Sequence, residues 1–239
     1  MPGTARSDTR LRRYPERAAL TAALAAHIVA ALEDGMRGGG SASLVVSGGR
    51  SPAALFDLLS SAALDWRRVC VALTDERWVD TTSSDSNEQL VRAHLLRNAA
   101  AKANFVGMKT DAAQPAGAAA AASWSAIAPL PRPFDYVLLG MGDDGHTASL
   151  FPQSPGLASA IDPLQPPGCV AMLAPVAPQA RMSLNLSALL DARRIGLLIL
   201  GDGKLAVYER AGESGPVADM PVRALLRQQQ VPVSVYWAP

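Results

Sequence analysis

A chain of 239 residues, 49% hydrophobic and 18% charged, is long enough to bury one sizeable globular core, and its net charge of +1 offers no electrostatic footprint for nucleic acid. Its two cysteines, Cys70 and Cys169, each sit in an apolar run, so they read as small buried strand residues rather than a disulfide or metal framework. Arg10, Arg12, Arg13 and Arg17 precede the apolar stretch 18–32 and imitate a secretory signal. However, Leu20, Leu24, Ile28 and Leu32 recur at four-residue spacing, which predicts a helix with one packing face. No run is expected to span a membrane, and a cytoplasmic protein is the expectation.

In chain order, a first helix is predicted over 15–34, ended by Gly35 and the hinge Gly38-Gly39-Gly40. A strand at 43–46 runs into Ser47-Gly48-Gly49-Arg50-Ser51-Pro52 and then a helix to about residue 63. Pro52 suits a first helical turn, where its missing N–H costs nothing. The strand at 69–73 leads into Thr74-Asp75-Glu76-Arg77, and a helix over 87–98 follows with Asp85 or Ser86 as its cap. A short strand at 104–106, an alanine-rich helix at 112–128 and a proline linker at 129–133 deliver the chain to a buried strand at 136–139. After Pro152 comes a proline-rich excursion to Gly168, then strands near 169–173 and 182–185 and a helical turn at 187–191. The strand 195–200, the turn Gly201-Asp202-Gly203-Lys204, a helix to about residue 211, a short helix at 221–228 and a strand at 233–237 complete the pattern. Strands alternating with helices predict a single α/β domain over 1–239. Its sheet is expected to be mostly parallel and doubly wound (Rossmann-like), with helices on both faces.

Chemistry is concentrated at the carboxyl ends of these strands, where open α/β sheets bind ligands. The run Phe134 to Pro152 joins an apolar strand to a glycine-rich turn carrying Asp143, Asp144 and His146, the last being one of only three histidines. An imidazole beside carboxylates on such a turn is placed for general base work. Residues 47–52 offer a glycine loop and a helix start to an anion. Arg77 offers a bidentate fork, Asp75 a carboxylate for a hydroxyl or water, and Lys204 an ammonium. Taken singly, each turn also reads as a plain turn. In one parallel sheet, 47–52, 74–77, 140–146 and 201–204 converge, and together they describe a pocket for a small phosphorylated, hydroxyl-rich molecule.

These motifs, in this order and spacing, resemble those of the 6-phosphogluconolactonases in the glucosamine-6-phosphate isomerase/deaminase superfamily. The resemblance rests on residues 47–52, 74–79, Asp85-Ser86-Asn87, 140–152 and 201–204, and it covers nearly the whole chain. Relatives often carry Ser or Thr at Arg50, Tyr at Trp78 and Pro at Asp80, and segment 153–168 matches no assigned feature. The resemblance implies hydrolysis of 6-phospho-D-glucono-1,5-lactone with no organic cofactor and no metal. It implies His146 as general base, Asp144 supporting the imidazole, and Asp75 fixing substrate hydroxyls or water. Backbone N–H groups of 48–49 or 142–145 would face the oxyanion. The 6-phosphate would be held by Arg77, Lys204 and the loop Ser47, Gly48, Gly49, Arg50 and Ser51, with Arg181 a further ligand. The expected partner is the sugar-phosphate lactone alone, with no nucleic acid or membrane, on a monomer or weak homodimer. An amino-sugar-phosphate isomerase/deaminase is disfavoured because 147–156 lacks the carboxylate of that sibling. A non-catalytic sugar-phosphate sensor is disfavoured by the retained histidine and the lack of a basic DNA-binding extension.

Overall fold

The computed structural model describes residues 10–109 and 114–239. The chain opens with β1 (Arg10–Arg13), α1 (Arg17–Gly39) and β2 (Ala42–Val46), followed by α2 (Ala53–Ser60). Next come β3 (Val69–Leu73), β4 (Asp75–Arg77), α3 (Asn87–His94), β5 (Asn104–Val106) and α4 (Ala116–Ile127). The second half holds β6 (Tyr136–Gly140), α5 (Leu157–Ala160), β7 (Cys169–Leu173), β8 (Ala180–Leu184) and α6 (Leu186–Leu190). It ends with β9 (Ile195–Leu200), α7 (Asp202–Gly212), α8 (Val222–Arg227) and β10 (Val233–Ala238).

Seven strands form one sheet in the order β1-β10-β9-β6-β2-β3-β5, every neighbouring pair parallel. Successive strand residues point to opposite faces, yet Leu44, Val45 and Val46 of β2 are all fully buried, so both faces of the sheet are covered. From β2 the chain moves outward through β3 to β5, then returns to β6 on the other side of β2 and continues to β9 and β10. The direction of winding therefore reverses between β2 and β6, and a crevice opens outside their carboxyl ends.

Several elements differ from the sequence reading. The expected turn at 74–77 is a strand: β4 leaves the end of β3 and pairs antiparallel with β8, which pairs antiparallel with β7. Strands β4, β8 and β7 thus make a second, three-stranded sheet rather than joining the parallel one. Strand β1 was not foreseen, because four residues of which three are arginine carry no apolar alternation. It is formed by parallel pairing with β10, where the Arg12 and Arg13 guanidinium groups lie over the Tyr236 and Trp237 rings at 5.9 and 5.3 Å.

Helix α1 also runs past Gly35 to Gly39, and Gly40 (φ 82°) ends it by donating to the Met36 carbonyl. Gly35 is a site of close approach, since a Cβ there would overlap the buried Asp135 carboxylate. Residues 17–37 of α1 are long and apolar enough to cross a membrane by length and composition, contrary to expectation. Its Leu20, Leu24, Ile28 and Leu32 are nonetheless buried in the core of the fold. The helix expected over 87–98 stops at His94 and the chain re-enters a short 3-10 turn at 98–102. Of the helix expected over 112–128, residues 112 and 113 lie outside the described residues, and the rest forms α4 from Ala116.

Candidate active site

Because all seven strands of the large sheet run the same way, the segments after β2, β3, β6 and β9 meet at its carboxyl edge. They line one cavity of about 760 Å³, and Arg181 from β8 joins them there. Each of Ser47, Gly48, Gly49, Arg50, Ser51, Asp75, Arg77, Asp144, His146, Arg181 and Lys204 reaches this cavity.

The turn after β6 holds its own shape. Gly142 donates its N–H to the His146 carbonyl at 2.8 Å, Gly145 donates to the Gly142 carbonyl at 3.2 Å, and Thr147 Oγ1 donates to the Gly140 carbonyl at 2.8 Å. Gly145 has φ 79°, a conformation glycine adopts without strain. A Cβ on Gly142 would collide with the His146 ring. That ring packs against Phe151, centroids 4.4 Å apart, and its Nδ1 lies 2.6 Å from Asp144 Oδ1, which also accepts the His146 backbone N–H. Burial pushes the Asp144 carboxyl up, but the hydrogen bond and charge of His146 outweigh it and hold the group below its ordinary value. An ionised Asp144 accepts a proton-bearing Nδ1, so the hydrogen-bond network assigns the lone pair of the neutral ring to Nε2.

Within the same cavity lining a chain of hydroxyls leads into a carboxylate. Ser47 Oγ lies 2.6 Å from Thr74 Oγ1, Thr74 donates to Asp75 Oδ1 at 3.0 Å, and Ser149 donates to Asp75 Oδ2 at 2.7 Å. Asp75 is thereby fixed, and the buried Ser47 hydroxyl is engaged inside this chain. The loop above it is tight: Gly49 has φ 91°, and a Cβ on Gly48 would overlap the Asn87 side chain, whose Nδ2 donates to the Asp75 carbonyl at 2.8 Å. Arg50 is exposed at the rim and makes no hydrogen bond or ion pair among the described residues.

The cations are set differently from one another. Arg77 and Arg181 are direct cross-strand partners on β4 and β8, a like-charge juxtaposition that opposes folding. Arg77 Nη1 donates to the Asp85 carbonyl at 2.5 Å. Arg181 is buried with Nη1 lacking a partner among the described residues. Burial and the Arg77 charge push the Arg181 guanidinium below its usual pKa, against the pull of Asp75, Glu76 and Asp85. Two such forks side by side are suited to a multiply charged anion. Lys204, in the first turn of α7, pairs with Asp143 instead, Nζ to Oδ1 at 2.8 Å. Cys169 stands apart from all this, its thiol pushed up to about 12 by burial and so protonated and inert.

The model of a known family, glucosamine-6-phosphate isomerases/6-phosphogluconolactonase, matches residues 15–237. The chain belongs to this family. A curated relative from Pseudomonas aeruginosa named 6-phosphogluconolactonase is 47% identical over 90% of this chain and 89% of its own. One of the same name from Rhizobium meliloti is 45% identical over 92% of this chain and 95% of its own. The crystal structure of a 6-phosphogluconolactonase from Shewanella baltica superposes with a TM-score of 0.92 at 43% identity, covering 99% of this chain and all of that one.

Within this family fold, three cavity residues had no assigned part in the sequence reading. Ser149 fixes Asp75, Phe151 supports the His146 ring, and Asn87 packs under Gly48. All three lie inside the motifs named above, but the partners of Ser149 and Asn87 are distant in sequence (74 residues separate Ser149 from Asp75), so no spacing rule identifies those two, whereas Phe151 is only five residues from His146. The hairpin tip Ala174, Pro175 and Val176 also lines the cavity, and its sequence carries no signal for that.

Proposed function

We propose that the chain hydrolyses 6-phospho-D-glucono-1,5-lactone to 6-phospho-D-gluconate in the oxidative pentose phosphate pathway, as a cytoplasmic enzyme working without an organic cofactor. The observation that carries this reading is the Asp144–His146 pair, 2.6 Å apart, in the same cavity as the facing Arg77 and Arg181. It combines a base of defined tautomer with an anion seat on one polar pocket.

In this mechanism the Nε2 lone pair of His146 takes a proton from water as the water oxygen adds to the lactone carbonyl. Asp144 stabilises the imidazolium that forms. The oxyanion is met by backbone N–H groups of Gly48 and Gly49, which donate to nothing else among the described residues. The corresponding groups of Gly142 and Gly145 are spent within their own turn. Collapse of the tetrahedral intermediate breaks the bond to the ring oxygen, and Nε2–H returns the proton to that oxygen. The new carboxylic acid then ionises, and the histidine is again neutral. Asp75, pinned by Thr74 and Ser149, orients substrate hydroxyls, and Arg77, Arg181 and Lys204 together grip the phosphate.

The test is turnover of lactone generated in situ from glucose-6-phosphate by a dehydrogenase, with spontaneous hydrolysis subtracted. The wild-type chain is expected to accelerate it, and His146→Ala to lower kcat by roughly 10²–10⁴-fold, the scale for loss of a general base. Acceleration that survives intact in His146→Ala rejects the mechanism, and no acceleration by wild type rejects the function.

A further inference from the structure

Asp143 and Asp144 are adjacent, yet their carboxylates diverge: Asp144 turns to the imidazole and Asp143 to the Lys204 ammonium. We propose that Asp143 is a resident counter-ion for Lys204, displaced by the phosphate of the substrate, and that it sets the affinity for phosphorylated over unphosphorylated lactones. This rests on the reading of the site given above.

Both residues line the cavity, and Nζ and Oδ1 are 2.8 Å apart. The Lys204 side chain is 27% exposed and that of Asp143 90% exposed, so the ammonium is at the wall and the carboxylate stands toward solvent. No other acceptor for Lys204 occurs among the described residues. The other cations of the cavity are not neutralised in this way: Arg77 donates to a neutral carbonyl, and Arg50 and the Arg181 Nη1 have no partner among the described residues. A phosphate dianion is a stronger partner for an ammonium than one carboxylate that water already solvates on most sides. Arrival of the phosphate therefore exchanges one ion pair for another, and the displaced carboxylate swings outward at little cost. An unphosphorylated lactone leaves the resident pair in place and gains nothing from Lys204. The exposed setting limits the effect to the range of a surface ion pair.

The variant Asp143→Asn removes the competing charge without touching the partner of His146, and at 90% side-chain exposure it leaves the fold intact. The expected result is a KM for the phosphorylated lactone lowered about two- to five-fold at low salt, with kcat and the KM for unphosphorylated δ-gluconolactone unchanged. Calorimetric binding of 6-phosphogluconate should tighten by the same factor, and both gains should vanish in a Lys204→Ala background. A raised KM would overturn the proposal, because Asp143 would then be holding Lys204 in its working position. An unchanged KM would overturn it too, placing the phosphate away from Lys204, as would an equal gain for both lactones. The binding arm is read whether or not the wild-type chain turns the lactone over, so failure of the counter-ion and failure of the proposed reaction are separable.

Discussion

At the turn after β6, two identical carboxyl groups are separated by environment alone. Asp144 is partly buried against His146 and titrates below its ordinary value, whereas Asp143 faces solvent with Lys204. Because the folded pKa of Asp144 is depressed, its stabilising contribution is present above the unfolded carboxyl value near pH ~4 and is lost as the pH falls through the lowered folded value. At neutral pH the imidazole therefore always faces a carboxylate. Replacing it by Asn presents an N–H₂ donor to Nδ1 and inverts the favoured tautomer. Asp144→Asn is expected to lower kcat by about 10²-fold or more with little change in KM, measured on freshly generated lactone. His146 and Asp144 were legible as a pair because both sit on one glycine-rich turn after one buried strand. Ser149 was not, since its bond to Asp75 exists only once the fold brings the segments after β3 and β6 to one edge of the sheet.

Between elements, Glu76 does the joining. Its Oε1 accepts the backbone N–H groups of Arg77 and Asn87, both at 2.7 Å, and its Oε2 accepts the Glu88 N–H at 2.8 Å and the Ser86 hydroxyl at 2.9 Å. One carboxylate thus caps the start of α3 and ties it to β4, which holds Asp75 and Arg77 at the cavity. Ser86 completes the cap by accepting the Gln89 N–H. Burial nevertheless pushes the Glu76 pKa up, the four donors pulling the other way. A raised folded pKa means that this group favours folding most below its unfolded value, and that the benefit declines as the pH rises through the folded value. Glu76→Gln must leave buried N–H groups facing an amide N–H₂, and a loss of about 2–4 kcal/mol is expected in denaturant melts. The difference between wild type and variant should shrink as the pH rises from acid to neutral. An equal melting midpoint at all pH values would reject the clamp. In the sequence the Thr-Asp-Glu-Arg run read as a charged turn, because three charged residues carry no apolar period. Only the antiparallel partner β8 makes it a strand.

For the whole molecule, the parallel sheet and its reversal between β2 and β6 put the cavity where it is. The segments after β2, β3, β6 and β9 leave the same edge, and the small antiparallel sheet and the start of α3 complete the lining. The far edge is closed by β1, which covers the backbone of β10 and the Tyr236 and Trp237 rings. Removing residues 10–13 should expose that edge as a pairing template. The expected outcome is a lowered melting temperature and concentration-dependent light scattering, with the KM of the remaining folded enzyme unchanged because the cavity lies elsewhere. A truncated chain that stays monodisperse and melts as wild type would show that β1 is dispensable.

The apolar runs of β2, β3, β6 and β9, the glycines that follow them and the chemistry of the residues there are local properties, so the sequence by itself determined a parallel α/β sheet and which turns would meet. It also determined Asp144 and His146 as neighbours, since two residues on one tight turn cannot be far apart. Tertiary structure alone decided the rest. The antiparallel sheet, the facing of Arg77 and Arg181, the Ser149–Asp75 bond and the engagement of Lys204 by Asp143 all join segments remote in sequence. Such pairings depend on register and on the competition among several acceptors for each donor, and no local periodicity encodes either.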